Sequence, residues 1–319
     1  MTPIQTSTEC VPPAIQPDSI QPGGGWCMNV ELAWGRCRRW LLRRLAPGYV
    51  HRMSEKQQGS CPGCPHDIID SRDLKYWRNV CGFWFRAEDD PFAWRNRLGF
   101  ARAGLAELCI ATALSWILIG LFSTATFIHW VFFIPAAIVI LIWFEILYFF
   151  RDPERVIPTE PAALLSPADG TITDIGEVEA PGFPGDRAFR IGIFLSIFNV
   201  HVNRLPCSGR VVAIRYFPGA FLDARHPECP ARNEQLWLDL EETDSGRLIR
   251  IKQISGAVAR RIVCWLKPQE TVRGGDRYGM IKFGSRTEVL IPVSDAAEVL
   301  VKVGDKVYGG ETLLLRLKN

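Results

Sequence analysis

The sequence of 319 residues has little net charge, few histidines and no small cysteine-dense domain. A formal charge of +3 is too small to indicate a nucleic-acid-binding protein, although basic residues cluster in the N-terminal third. The first twenty residues lack a basic stretch followed by an apolar one, so no cleaved signal peptide is expected. The ten cysteines are spread along the chain, and those after residue 151 are expected to be free thiols in a reducing compartment.

The motif Cys61-Pro-Gly-Cys64 lacks the partners that would assign it a function. A second CxxC is missing, haem attachment needs a histidine where Pro65 stands, and a thioredoxin-like role needs a βαβ context. His66 and Cys81 are weak candidates for further metal ligands. Their irregular spacing favours structural or free thiols, so no metal is expected.

The N-terminal extension, residues 1–103, is predicted to be basic, cysteine-containing and partly disordered. Residues 1–30 are rich in Pro, Gly, Ser, Thr and Gln, a composition typical of disorder. In residues 30–53, arginines are interspersed with tryptophans and leucines, and a helix is expected to end before Pro47. This pattern is typical of an amphipathic helix on an anionic membrane surface, or equally of a solvated basic helix.

Residues 104–150 are almost wholly apolar and too long for a single membrane span. They fit two helices, 104–122 and 127–150, joined around residues 123–126. A buried helical pair in a soluble core is the alternative, but the length and the aromatic content favour a membrane hairpin. Arginines flank both ends and the joining loop has none, so both ends are expected on the cytoplasmic side of the inner membrane.

Residues 151–319 are predicted to form a mainly β, barrel-sandwich-like catalytic domain, because short β-branched runs alternate with turn signals. The stretches LLSPADGTITDIGEV and VLVKVGDKVYGGETLLLRL are similar to paired strands of biotinyl- and lipoyl-type sandwiches. Neither has a modifiable lysine at a hairpin tip, so the similarity indicates architecture and not a carrier function.

A short Gly284-Ser285-Arg286 segment separates two strand-like runs, residues 278–283 and 287–291. Glycine permits backbone angles that bring the serine hydroxyl to the preceding carbonyl. Attack by Ser285 on the Gly284 carbonyl would form an ester, and β-elimination would then break the chain and leave a pyruvoyl group. A tight hairpin turn is the alternative, because Gly-Ser is common in turns.

Four segments resemble, in the same order, the phosphatidylserine decarboxylase family in its short-form branch, whose cleavage site reads Gly-Ser. The resemblance covers residues 149–319, about half the chain. The four segments are FFRDPERVIP (149–158), LLSPADGTI (164–172), IFLSIFNVHVNRLPCSG (193–209) and GDRYGMIKFGSRTEVLIP (275–292).

The resemblance implies a proenzyme cut between Gly284 and Ser285 into two chains that stay together as a heterodimer. The covalent cofactor would be a pyruvoyl group made from Ser285. Through a Schiff base, it would convert membrane phosphatidylserine to phosphatidylethanolamine and CO₂. The alternatives are a non-catalytic membrane-anchored barrel-sandwich adaptor, or a pyruvoyl decarboxylase acting on another amino-acid headgroup.

The resemblance also implies roles for individual residues. Asp169 and His201 match the family's aspartate and histidine that join the serine in processing, and His201 is also the expected proton donor in decarboxylation. Longer-form relatives have a second histidine where Arg204 stands here. The base for self-cleavage therefore remains open between His201, His226 and a strained peptide that needs little assistance. The candidates for binding the substrate phosphodiester are Arg204, Arg210 and Lys282.

Overall fold

The protein is described by a computed structural model that covers residues 16–22, 26–61, 64–257, 261–282 and 284–318. Its contacts divide the chain into two compact units. A catalytic unit contains Val156–Ile197 and Asn203–Asn319, together with Met1–Pro22. An N-terminal unit contains Gly23–Arg155 and the short segment Phe198–Val202.

The helices lie mainly in the N-terminal unit. They are α1 (Trp26–Leu45), α2 (Pro47–Lys56), α3 (Leu105–Ala125), α4 (Phe133–Phe149) and, in the catalytic unit, the short α5 (Cys229–Arg232). Helix α1 ends before Pro47, as predicted, and Pro47 begins the next helix, where its missing N–H costs no hydrogen bond.

Within residues 1–30 the structure describes residues 16–22 and 26–30, and disorder in this segment stays a prediction. Helix α1 begins at Trp26. Ser19, Ile20 and Gln21 are buried, and the Ile20 carbonyl accepts a hydrogen bond from the Cys264 amide at 3.3 Å. The remaining positions of that segment lie outside the described residues.

Basic residues of α1 form ion pairs within the N-terminal unit. Arg38 and Arg39 both pair with Asp73, whose side chain is almost fully buried, and Arg43 pairs with Asp67. Part of the basic face of α1 is therefore neutralised by neighbouring carboxylates. This arrangement fits a helix docked on protein better than one whose whole basic face lies on lipid.

The two apolar helices predicted between residues 104 and 150 are present. Arg102–Ala125 and Trp130–Phe149 are each long and apolar enough to cross a membrane, and little of either is buried by protein. The join falls at residues 126–129, about one turn later than expected, and is followed by a 3₁₀ turn at Trp130–Phe132. Helix α4 packs on α3, where Trp143 Nε1 donates to Thr112 Oγ1 at 3.2 Å.

The catalytic unit consists mainly of antiparallel β-sheet, which confirms the predicted fold class. Its strands are β1 (Ala163–Leu165), β2 (Gly170–Glu179), β3 (Arg187–Leu195), β4 (Val202–Arg204), β5 (Gly209–Phe217), β6 (Gln235–Glu242), β7 (Leu248–Ser255), β8 (Arg261–Cys264), β9 (Thr271–Val272), β10 (Arg277–Lys282), β11 (Ser285–Pro292), β12 (Ala296–Val299), β13 (Lys306–Val307) and β14 (Leu313–Leu317). They form three sheets, in the orders β13-β2-β3-β11-β7-β6-β5-β9, β4-β10-β8 and β1-β14-β12.

The large sheet curls into a half-barrel around one apolar core. Inward-facing residues of neighbouring strands supply the core, for example Ile191, Ile251 and Val289, which lie opposite one another. The two stretches that are similar to lipoyl-type strands pair with each other, since β1 pairs with β14 and β2 with β13. Cys207 and Cys264 are free and buried, as expected for thiols of the catalytic part.

Candidate active site

The chain leaves one sheet and enters another at Gly284. Strand β10 belongs to the three-stranded β4-β10-β8 sheet, whereas β11 is a central strand of the large sheet. Gly284 joins them with φ of +61°, in the left-handed region that favours glycine. The alternative of an ordinary hairpin turn at Gly-Ser is therefore wrong, because these two strands are in different sheets.

Ser285 is the first residue of β11 and has no exposed surface. It lies opposite Leu195 of β3 on one side and Ser255 of β7 on the other. Its Oγ atom is buried and has no hydrogen-bond partner among the described residues. A buried hydroxyl without a partner is unfavourable, and such groups are concentrated where chemistry requires them.

Unpaired polar atoms continue along the same part of the sheet. Ser255 Oγ, Thr287 Oγ1 and Gln253 Oε1 are also buried without hydrogen-bond partners in the described part of the chain. Thr287 lies opposite Gln253, two residues along the strands from the Ser285–Ser255 pair, so the four side chains share one face. The amide nitrogen of Gln253 donates to Asn203 Oδ1 at 2.8 Å.

The Gly284 carbonyl packs directly against Gly256. A Cβ atom placed on Gly256 would lie 2.4 Å from the Gly284 oxygen and 3.2 Å from its carbon. These distances leave no room for a side chain at position 256. Glycine there thus gives the Gly284 carbonyl its position beside Ser285.

A cavity of about 320 Å³ opens beside Gly284. Its walls combine an apolar part that includes Phe194 and Ala224 with an ion pair between Asp223 and Arg225. Hydrogen bonds from the Arg225 side chain and backbone lower the pKa of Asp223 to about 2, so this carboxylate is ionised at neutral pH. A negative side chain, Asp223, and a positive one, Arg225, therefore lie in the cavity wall next to the Gly284–Ser285 peptide.

Asn233 holds the cavity-lining loop against the sheet. This fully buried side chain donates to the Ser255 carbonyl and to the Leu222 carbonyl, both at 2.8 Å, and accepts from the Leu222 amide at 2.9 Å. One amide thus connects the strand opposite Ser285 with the loop that carries Asp223.

Asp169 ends the loop before β2 and is buried. Its Oδ1 accepts a hydrogen bond from the Gly309 amide at 2.8 Å. The same loop is held through Ser166, whose amide donates to the Thr312 carbonyl and whose carbonyl accepts from the Gly310 amide. The C-terminal hairpin therefore fixes the position of Asp169.

His201 lies in the segment Phe198–Val202, which groups with the N-terminal unit. Its ring is buried, with the centroid 4.3 Å from that of Phe149 at the end of α4. Nδ1 lies 2.9 Å from the Asn199 carbonyl oxygen; because a carbonyl only accepts, Nδ1 carries the proton and Nε2 is the basic nitrogen of the neutral ring. Arg151 holds the segment as well, by donating to the Phe198 carbonyl at 2.8 Å.

Burial lowers the pKa of His201 to about 4, below its usual 6.5. Between pH 6.5 and pH 4 this histidine is therefore protonated in the unfolded chain but neutral in the folded chain. The free energy of unfolding falls by about 3 kcal/mol as the pH drops through this range. We expect His201→Gln to remove this part of the pH dependence. Thermal unfolding in detergent at pH 7 and pH 5 measures it, with exposed His226→Gln as the control. A His201→Gln protein that loses as much stability as wild type would contradict the assignment.

Comparison with known proteins assigns this site to a family. Residues 145–315 match the family model described as phosphatidylserine decarboxylase. The phosphatidylserine decarboxylase proenzyme of Rhodopirellula baltica is 43% identical over 244 residues, which cover 76% of this chain and 98% of that protein. The chain belongs to the phosphatidylserine decarboxylase family. The proenzymes of Desulfotalea psychrophila and Chlorobium chlorochromatii are 48% and 46% identical, over 53% and 60% of this chain and 77% and 86% of their own lengths.

Two arginines were expected to bind the substrate of this decarboxylase, but they do not line the cavity beside Gly284. Arg204 is buried and donates to the Gly275 carbonyl at 3.0 Å, and Arg210 is exposed and pairs with Glu241. Neither is among the described residues that line the cavity, so their role in substrate binding stays a prediction. Lys282 is buried at the end of β10 and is not part of the cavity lining either.

His226, one of the open alternatives for the base, is exposed. Its Nδ1 accepts a hydrogen bond from the Glu228 amide at 3.2 Å and so caps a local turn. This position gives His226 a structural explanation that is independent of the decarboxylase chemistry.

Sequence reasoning missed the residues that shape the site from a distance. Gly256, Asn233 and the Asp223–Arg225 pair carry no motif of their own. Spacing in the sequence gave no signal for them, because each acts on Gly284 or Ser255 through tertiary contacts. The nearest hint was the apolar run before Asp223, which ends in an alternation of charged and small residues.

Proposed function

We propose that this chain is a self-cleaving, membrane-bound decarboxylase that converts phosphatidylserine to phosphatidylethanolamine and CO₂. The observation that carries the proposal is the unpaired, fully buried Ser285 hydroxyl directly after a left-handed Gly284 that joins two sheets. The family to which the chain belongs supports the reaction, and proenzyme is the name given to its relatives.

Self-cleavage begins with Ser285 Oγ attacking the Gly284 carbonyl carbon. The peptide C–N bond breaks and an ester forms in its place. β-Elimination then removes the Ser285 Cα proton, breaks the Cβ–O bond and releases Gly284 as a carboxylate. The remaining dehydroalanine tautomerises to an imine, water replaces its nitrogen, ammonia leaves, and a pyruvoyl group stands at position 285.

The residues present fit this conversion. Gly284 supplies the backbone angle, and Gly256 leaves space for the carbonyl. Once formed, the pyruvoyl group supplies a carbonyl that serves as the electron sink for decarboxylation of an amino acid. On the family resemblance, we assign His201 as the group that accepts the Ser285 proton and later returns a proton to the product carbon; its buried ring is neutral, with Nε2 as the unprotonated nitrogen. Asp169 is assigned as its electrostatic partner in processing, on the family resemblance.

The cavity of about 320 Å³ is proposed to hold the headgroup. Arg225 would bind the phosphodiester, and the apolar wall that includes Phe194 would surround the departing carboxylate. Weak solvation of that carboxylate favours its conversion to neutral CO₂. Ile197, which lines the cavity, exposes 42% of its surface, which suits contact with acyl chains.

Helices α3 and α4 are proposed to form the membrane hairpin, with the catalytic unit on the cytoplasmic side of the inner membrane. Their exposed surfaces are apolar over their whole length, and arginines flank both ends of the pair. A membrane-anchored enzyme can take a lipid headgroup without extracting the lipid. We therefore propose the arrangement predicted from sequence: an extension (1–103), a hairpin (104–150) and a decarboxylase domain (151–319) whose two cleavage products form a heterodimer.

The function is tested with purified protein and mixed micelles that contain phosphatidylserine labelled in its carboxyl carbon. We expect labelled CO₂, an equal amount of phosphatidylethanolamine, and inactivation by hydroxylamine, which reacts with a pyruvoyl carbonyl. Phosphatidylthreonine micelles are the control for headgroup choice. Faster turnover of the threonine lipid would overturn the substrate assignment, and full activity after hydroxylamine would overturn the cofactor.

Arg225→Gln is expected to raise KM for phosphatidylserine about tenfold with little change in kcat, because losing one charge-assisted contact costs roughly 1.4 kcal/mol. Arg232→Gln is the matched control, since Arg232 is also an exposed arginine in an ion pair but is not among the described residues that line the cavity. Initial rates over a range of lipid mole fractions give both constants. Equal KM values for the two variants would remove Arg225 from the binding site.

A further inference from the structure

Three cysteines of the N-terminal unit, none of them a residue assigned to the decarboxylase reaction, bring their sulfur atoms together. The Sγ atoms of Cys61, Cys64 and Cys81 lie within 4.8 Å of one another, and those of Cys64 and Cys81 are 2.9 Å apart. Cys61 and Cys64 are joined as a disulfide, with Cα atoms 5.4 Å apart, so of the two expected alternatives these two positions are structural and not free thiols. The disulfide accounts for two of the sulfur atoms, but it does not explain why Cys81 Sγ lies beside them.

The backbone around these cysteines is built to bring them together. Gln58 and Trp84 exchange two backbone hydrogen bonds of 2.9 and 3.0 Å, which join the segment before Cys61 to the one after Cys81. A Cβ on Gly59 would lie 2.2 Å from the Gly82 oxygen, and one on Gly82 would lie 2.0 Å from the Ser60 oxygen. Only glycine at both positions permits so close an approach.

The segment that carries the three cysteines has little regular secondary structure. Between α2 and residue 90 the described chain forms two 3₁₀ turns, Ser71–Leu74 and Ala87–Asp89, and one isolated bridge. Among the described residues its apolar cluster has three buried members, Ile68, Leu74 and Cys81, with partly buried side chains packed against them. Small modules with such cores usually depend on a metal ion or a disulfide.

Charged side chains line the cavity beside two of the sulfurs. Cys61 and Cys64 line a cavity of about 740 Å³ together with Arg36, Arg39, Arg43 and Asp67. Thiolate is the form of cysteine that binds metal, and three thiolates with one divalent cation carry a net charge of −1. Arg36 can offset this charge, whereas Arg39 and Arg43 already pair with Asp73 and Asp67.

We propose that the reduced cluster of Cys61, Cys64 and Cys81 is a structural zinc site. Two equivalents of a small thiol reduce the Cys61–Cys64 disulfide and leave as their own disulfide; zinc(II) then binds three sulfurs and displaces three protons. With Zn–S bonds of about 2.3 Å, tetrahedral ligand sulfurs lie about 3.8 Å apart, which is inside the 4.8 Å limit of the cluster but longer than the 2.9 Å between Cys64 and Cys81. His66 lines the same cavity but is not a member of the cluster, so the fourth ligand comes from outside these three cysteines.

The test measures metal content in the full-length protein, purified with a phosphine reductant and without chelators. We expect one zinc per chain in wild type. Cobalt(II) exchanged into the site is expected to show thiolate-to-metal charge-transfer bands and intense tetrahedral d–d bands. This spectrum of the wild-type protein does not depend on the folding of any variant.

The Cys81→Ser variant distinguishes a zinc site from a module held by the disulfide alone. It leaves the Cys61–Cys64 pair intact, so a disulfide-only module would behave as wild type, whereas a three-sulfur site is expected to lose at least nine-tenths of its zinc. Cys37→Ser, an exposed cysteine of the same unit, is the control and is expected to keep the metal. Zinc below one-tenth per chain in reduced wild type, or an unchanged content in Cys81→Ser, would overturn the proposal.

Discussion

Replacing Ser285 by alanine is expected to leave one intact chain of 36.0 kDa on a denaturing gel, whereas wild type separates into chains of 284 and 35 residues. Without the hydroxyl no ester forms, so no pyruvoyl group is made and decarboxylation falls to background. Because Ser285 Oγ is buried without a hydrogen bond in the described structure, its removal is also expected to stabilise the precursor by about 1 kcal/mol.

Ser294→Ala is the matched control for this experiment. Ser294 follows β11 closely, is exposed, and donates to Asp295 Oδ1 at 3.0 Å. The control is expected to be cut and active like wild type. Two bands from Ser285→Ala, or a single band from active wild type, would refute self-cleavage at this peptide.

Replacing Gly256 by alanine is expected to slow self-cleavage at least about 10²-fold, since a displacement of about 1 Å at a reacting group has this effect. The added Cβ would lie 2.4 Å from the Gly284 oxygen, which belongs to the backbone and cannot turn away as a side chain does. The scissile carbonyl must therefore shift relative to Ser285. Pulse-labelled precursor followed over time on a denaturing gel measures the rate.

Gly48→Ala serves as the control for Gly256→Ala. Gly48 lies in α2, and a Cβ there meets only the flexible end of Arg52, at 3.8 Å. The control is expected to cleave at the wild-type rate. If Gly256→Ala also cleaves at that rate while remaining folded by circular dichroism, the carbonyl is not positioned by Gly256.

Much of the architecture was predictable because its signals are local. Two apolar helices follow from the length and composition of residues 104–150, and alternating β-branched runs predict the sheets after residue 151. The Gly284-Ser285 site was predictable because its chemistry requires adjacent residues. Even so, the boundaries of the helical pair moved by about one turn, since residues 123–128, which mix Ser and Thr with apolar residues, fit a helix and a loop equally well.

The rest of the site depends on contacts that no local pattern encodes. The sequence pattern before and after Gly284 is that of a hairpin. The two strands nevertheless belong to different sheets, because each pairs with strands from other parts of the chain. Arg204 and Arg210 stand close to the histidine motif in sequence, but Arg204 supports a turn and Arg210 bonds to Glu241 on a neighbouring strand. Arg225 reaches the cavity because Asn233 fastens its loop to β7.

The position of β11 inside the large sheet determines what a cut before Ser285 does to the molecule. Strand β11 is hydrogen-bonded to β3 on one edge and to β7 on the other, and β14 is likewise paired with β1 and β12. The C-terminal peptide released by the cut therefore contributes strands to two sheets, and it can dissociate only if the protein unfolds. Scission at this point changes the covalent connectivity and leaves the architecture untouched, so the newly created terminus stays where the chemistry needs it.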